Sequence, residues 1–202
     1  MIEATQRQIE TLYQLPATFN IQNFLLAKSD LKGLLTENNP YLHADEVVLT
    51  ATSDGELEIG VFFSPEILEN LEQLNIQQKL NLIEGISHFL LIVYKHHSEI
   101  PLTQLELELQ AEIDKFLLLT LNQSCPTNPE EALALISRPI NLPNLNSNQD
   151  QLYRQASEFA KRYCHYLLQK YLHSHSIDPL LQEIRTFYRL PYFNKIQTIQ
   201  MI

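Results

Sequence analysis

The sequence predicts an α+β protein that is predominantly α: a helical bundle with a small antiparallel β-hairpin in the N-terminal third. Three observations carry this. Residues 79–121, KLNLIEGISHFLLIVYKHHSEIPLTQLELELQAEIDKFLLLTL, hold the densest apolar surface in the chain, as two runs of helical spacing separated by Ser98, Glu99, Ile100 and Pro101. Residues 46–63, EVVLTATSDGELEIGVFF, place two β-rich runs around Asp54-Gly55, a dipeptide that supplies positive φ at a tight hairpin turn. Residues 150–173 repeat an apolar stripe at Leu152, Ala156, Phe159, Tyr163, Leu167 and Tyr171, which defines a third long helix.

Residues 3–14 form a short helix that stops before Pro16, because the residue before a proline is pushed towards extended geometry. A strand is expected around 20–26 and a helix around 29–36, followed by a loop at Asn38-Asn39-Pro40. In the hairpin, Leu57, Ile59, Val61 and Phe63 alternate with Glu56, Glu58, Gly60 and Phe62, so one face turns inward. Two strands alone are marginal, and segment 20–26 or the helices must cover them. Ser64-Pro65-Glu66 supplies an N-cap, a proline in the first turn and an acid at the positive helix end, which starts a helix running to about Leu74.

The helix over 79–97 is apolar around more than half its circumference, through Leu82, Ile83, Ile86, Phe89, Leu90 and Val93. Gly85 in its middle marks a close approach by another backbone. Thr103 caps the next helix, with Glu106 placed to complete a capping box, and Leu105, Leu109, Ile113 and Phe116 form its core stripe. Residues 122–150 are a long Pro- and Asn-rich connection around a short helix near 129–137. In the third long helix Arg154, Glu158 and Arg162 have the spacing of an ion-pair ladder. Pro179 opens a further helix ended by Pro191, and a short amphipathic helix closes the sequence. The whole, 1–202, reads as one domain, with 179–202 as an aromatic-basic appendage.

With 45% hydrophobic and 19% charged residues in 202, the chain has the composition of a globular protein with a sizeable core. A net charge of −10 argues against nucleic-acid binding, since phosphate attraction needs clustered Lys and Arg. The four glycines (33, 55, 60 and 85) do not cluster, which excludes a Gly-rich phosphate cradle. The run from Ile86 to Tyr94 is far shorter than the ~20 residues of a membrane span. Cys125 and Cys164 are isolated, and MIEATQRQIE lacks the basic start and apolar core of a signal peptide, so a cytoplasmic location is expected.

One compact group of potential ligands stands out. Glu84 and His88 are four apart on the first central helix, and Glu108 and Glu112 are four apart on the second. Facing helices with paired carboxylate and imidazole groups are the arrangement of bundle metal sites, and such donors suit Fe, Mn or Zn. The spacing departs from the Glu-x-x-His of di-iron bundles. The plainer alternative makes Glu84–His88 a hydrogen bond within the helix, and Glu108, Glu112 and Lys115 a solvated face with an ordinary ion pair. Yet Glu84 and His88 interrupt a very apolar helix, and a buried ionisable group needs a partner: a metal, a ligand, or Arg154 or Arg162. Ser87 beside His88, and Cys164 beside His165, point about 100° apart on their helices and make no nucleophile–base pair.

Charge is unevenly spread. Residues 33–78 carry nine acids and no Lys or Arg, whereas 179–202 carry Arg185, Arg189 and Lys195 against Glu183. With Tyr188, Tyr192 and Phe193 interleaved, Arg185 and Arg189 form the kind of surface that anchors protein contacts. The expectation is docking on the acidic hairpin, within the chain or across a homodimer. The alternative is that the aromatics cap the chain's own core. The leading function is then a cytoplasmic interaction or regulatory protein that needs no cofactor and binds a protein partner or itself, with neither nucleic acid nor membrane as a target. The other is a small metal-dependent or acid/base enzyme, or a ligand-binding domain, using Glu84 and His88 as catalytic groups beside Glu108 and Glu112.

Overall fold

A computed structural model describes residues 1–36, 39–53, 56–121, 127–136 and 147–202. Among these are nine α-helices and one two-stranded antiparallel sheet, so the protein is α+β and predominantly α. The helices are α1 Ile2–Tyr13, α2 Lys28–Leu34, α3 Pro65–Leu68, α4 Ile76–His97, α5 Gln104–Thr120, α6 Pro129–Ile136, α7 Ser147–Leu167, α8 Ile177–Arg189 and α9 Tyr192–Met201. The strands are β1 Glu46–Ser53 and β2 Glu56–Phe63.

Helix α5 is the axis of the bundle, and α1, α4, α6 and α7 all pack on it. Its buried residues therefore lie all round it and include Glu106, Glu108, Glu112, Asp114 and Lys115. Five buried charges on one helix demand partners, because an uncompensated buried ion is costly. Antiparallel α4 starts at a complete capping box: the Asn75 side chain accepts from Gln78 N at 2.9 Å and Gln78 Oε1 accepts from Asn75 N at 3.0 Å. Thr103 caps α5 by accepting from Glu106 N at 3.1 Å. The expected return bond from Glu106 is replaced, because its carboxylate is fully buried beside two lysines.

The hairpin pairs in register from Glu46↔Phe63 to Ser53↔Glu56, on either side of Asp54 and Gly55, which lie outside the described residues. Val61 and Phe63 enter the main core, while Phe62 joins Val47 and Leu31 in a smaller cluster on the opposite face. Both strands pack against α4. A third strand at 20–26 does not form. Ile21–Phe24 is a 3-10 turn, and pairing shrinks to one parallel bridge, Leu25↔Val61, with Leu26 N donating to Val61 O at 2.7 Å. The helix expected to reach Leu74 ends after one turn, at Leu68.

Gly85 is a point of close approach, made by side chains rather than by backbone. A Cβ there would lie 2.7 Å from Glu46 Cγ and 2.7 Å from the Phe63 ring. The small residue thus lets the hairpin seat its first residue, Glu46, against α4. That contact places the Glu46 carboxylate at the seam between α4 and α5.

Helix α7 runs on through a π-helical turn, Leu168–Leu172, so the helical run reaches about the expected length. The ion-pair ladder is redistributed: Arg154 pairs with Asp150 at 2.8 Å, and Arg162 Nε donates to the Ile202 oxygen at 3.0 Å. The C-terminal segment packs inward, α8 against α1 and α9 against α7. No helix among the described residues is long and apolar enough to cross a membrane. Cys164 is a buried free thiol, and Cys125 lies outside the described residues, as does most of the 122–150 connection.

Candidate functional site

The one-turn spacing on each helix, combined with antiparallel packing, brings His88 opposite Glu108. Glu84, His88 and Glu108 each offer a donor atom, and the three atoms lie within 4.8 Å of one another. His88 Nε2 is 3.7 Å from Glu108 Oε2, and Nδ1 is 3.7 Å from Glu46 Oε1. His88 is 7% exposed, and its buried Nε2 has no hydrogen-bond partner. The hydrogen bond proposed within α4 between Glu84 and His88 is absent from this arrangement, since each side chain faces another element.

Glu112, the fourth residue of the expected group, stands one step back. Lys115 Nζ donates to Glu112 Oε1 at 2.7 Å and to Glu84 Oε2 at 2.9 Å, so it binds the two carboxylates together. Glu108 is oriented by Gln104, whose Nε2 donates to Oε1 at 2.7 Å and leaves Oε2 turned towards His88. Compensation for Glu84 thus comes from Lys115 of α5, not from Arg154 or Arg162. The face read as solvated is buried.

Burial works against the His88 imidazolium, yet Glu108 and then Glu46 overcome it and lift its pKa to about 9. Burial raises Glu108 to about 7 against the opposing pull of His88. Burial also raises Glu46 and Glu112. Glu84 is held below its ordinary value because Lys115, with His88, outweighs its burial. Four carboxylates thus share one lysine and one imidazole, and desolvation resists the surplus negative charge. Tyr153 of α7 borders the same group: its hydroxyl is held well above its usual range by burial, then by Glu108 and by Tyr41.

A second polar network lies on another side of α5. Lys95 Nζ and Lys195 Nζ sit 2.7 and 3.0 Å from Glu106 Oε1, and all three side chains are buried. Lys195 also donates to Gln110 Oε1 at 3.1 Å and lies 5.5 Å from the centres of both the Phe187 and Tyr188 rings. Gln110 Nε2 donates to Tyr13 Oη and Asp114 Oδ1, each at 3.0 Å, and Tyr13 and Ser87 donate to Asp114. Burial pushes Lys195 down to about 8, with Lys95 adding to the push and Glu106 opposing it.

That shift has a defined sign. An unfolded lysine titrates near ~10.4, so between about pH 8 and ~10.4 the unfolded chain binds more protons, and folding stability rises with pH there. At pH 7 the buried ammonium is a net cost. Lys195→Met, similar in length, is expected to be more stable than wild type by about 2 kcal/mol at pH 7, with the gap closing towards pH 10. Urea unfolding at the two pH values measures it. A gap that is absent at pH 7, or that widens with pH, contradicts this description of Lys195.

The aromatic-basic anchors go to the inside of the chain. Tyr188 is buried and stacks on Tyr13 at 4.1 Å between ring centres. Arg185 Nε donates to Leu12 O at 2.8 Å, and Arg189 Nη2 to Tyr13 O at 2.7 Å, so both cap the C-terminal carbonyls of α1. Within the chain the segment therefore docks on α1 and α7 rather than on the hairpin. Tyr192 is half-buried, and Phe193 is 67% exposed.

The chain matches no protein-family model, no curated protein and no solved structure. Function is therefore read from the geometry of the seam.

Proposed function

We propose that the chain is a small metal-dependent enzyme whose centre lies between α4 and α5, with Glu84, His88 and Glu108 as ligands of one divalent transition metal. The observation that carries this is the convergence of three donor atoms from two helices within 4.8 Å, two of them on buried residues, together with a buried His88 Nε2 that has no hydrogen-bond partner. Bonds of about 2.0–2.2 Å in a tetrahedral arrangement place donors about 3.4 Å apart, so closure needs each donor atom to move by up to about 1 Å. Two carboxylates and one imidazole suit Zn, Mn or Fe. The surroundings also fit. Glu46 faces the second ring nitrogen of His88, Gln104 fixes Glu108, and Lys115 fixes Glu84. Ligands held this way by outer partners are the usual construction of a metal site. Three protein ligands leave a position for water or substrate, where a metal lowers the pKa of bound water or polarises an oxygen. The protein-contact reading is weaker, because Tyr188 is buried, Arg185 and Arg189 are spent on the carbonyls of α1, and Phe193 is the one well-exposed aromatic among its five anchors.

Elemental mass spectrometry on purified protein tests this. Close to one equivalent of Fe, Mn or Zn per chain is expected, falling at least tenfold in His88→Ala and in Glu108→Gln. A wild type that takes up none of these ions, even when offered them, contradicts the reading. So does metal retained undiminished in both variants.

A further inference from the structure

A cleft of about 360 Å³ opens between the hairpin, the end of α4 and the start of α5, lined by Thr50, Leu57, Ile92, His96, Gln104 and Leu107 among others. Its volume falls within the range of small-molecule sites. Two features join it to the centre. Along α4, residues Glu84, His88, Ile92 and His96 follow one another at four-residue steps, and Gln104, Glu108 and Glu112 do the same along α5. The cleft is therefore the continuation of the ligand stripes. At the junction stands Gln104, which lines the cleft and donates to Glu108.

Resting on the metal reading, we infer that this cleft receives the centre's substrate, and that the substrate is a small molecule with an uncharged oxygen head, an alcohol or a carbonyl, on an apolar body. The body is selected by Leu57, Ile92 and Leu107. The head is selected by the groups that surround it. The carboxyl groups of Glu46, Glu84, Glu108 and Glu112 gather at the seam, and the ammonium among them, Lys115, is engaged by Glu84 and Glu112. An anionic head would therefore meet carboxyl oxygens in a desolvated seam, with no free cation beside it among the described residues. Lys95 also borders the cleft, but its ammonium is engaged by Glu106 at 2.7 Å and by Leu190 O at 3.2 Å. The head reaches the metal by displacing the Gln104 amide from Glu108 and donating an oxygen lone pair.

Isothermal titration of zinc-loaded protein with 1-octanol and with octanoate tests this. Saturable 1:1 binding of octanol is expected, at least tenfold tighter than octanoate. Thr50→Trp, at an exposed position on the cleft wall, should weaken octanol at least tenfold while keeping its zinc, and Leu57→Trp serves as a second filling variant. His88→Ala should lose both zinc and the octanol affinity. Octanoate binding as tightly as octanol overturns the proposal. It is equally overturned if octanol binds His88→Ala as it binds wild type, or ignores both filling variants. Zinc bound without octanol binding removes this inference alone, whereas a wild type that takes up no zinc removes the metal reading first.

Discussion

Replacing Glu106 with alanine is expected to cost about 3–5 kcal/mol of folding stability, the range for breaking a buried ion pair by removing one partner. Glu106 is fully buried, and its Oε1 is the shared counter-charge of Lys95 and Lys195. Without it, two ammonium groups stand in the core with Gln110 and the Leu190 carbonyl as their acceptors among the described residues. The cost should shrink in a Glu106→Ala/Lys195→Met double variant by more than Lys195→Met gains alone, since one of the stranded cations is gone. Urea unfolding of the two singles and the double gives the coupling. A double variant whose change equals the sum of the two singles would show that Lys195 does not draw on Glu106.

Lys115→Met should act in two opposite directions. Lys115 holds Glu84 and Glu112, and burial and these carboxylates together leave its ammonium above the ordinary lysine value, the carboxylates prevailing. Without metal, losing it leaves two mostly buried carboxylates unpaired, at a cost of about 3 kcal/mol. With metal, the comparison is between lost orientation and relieved repulsion. Removing an outer partner of a ligand costs typically ~10–100-fold in affinity, or about 1.4–2.8 kcal/mol. An ammonium and a dication about 5 Å apart repel by several kcal/mol at an effective dielectric constant of about 20. Repulsion wins, so zinc should bind the variant at least as tightly as wild type and return most of the lost stability. Thermal unfolding with and without zinc reads both effects. A loss of stability that zinc does not recover would mark the seam as an ion-pair cluster without a metal function.

The sequence made the architecture readable wherever local chemistry decides it. The apolar stripes of α4, α5 and α7, the Thr103 cap, the β-rich runs over 46–53 and 56–63 and the proline stops gave the element types. Elements whose form depends on a neighbour were missed. Segment 20–26 has strand-like residues but meets β2 through a single bridge, and α3 ends early, with Ser64 at its N-cap position making no side-chain cap hydrogen bond. The site was half legible. Spacing of four placed Glu84 with His88 and Glu108 with Glu112, and an ion pair with Lys115 was legible, but not that this face is buried and that Lys115 reaches across to Glu84. Glu46 and Lys195 carry no local signal at all. They are single charged residues whose roles arise when a hairpin crosses α4 at Gly85 and when α9 folds back against α5. Glu106 was visible only as a cap residue, and its helical position suited that role as well as the one it fills.

Anomalous diffraction from zinc-soaked crystals, recorded at the zinc edge, tests the metal centre most directly. The expected result is one strong peak between α4 and α5, about 2.0–2.2 Å from Glu84, His88 Nε2 and Glu108, absent from His88→Ala crystals. A peak elsewhere on the surface with the seam empty, or a seam peak that survives the loss of His88, would contradict the assignment.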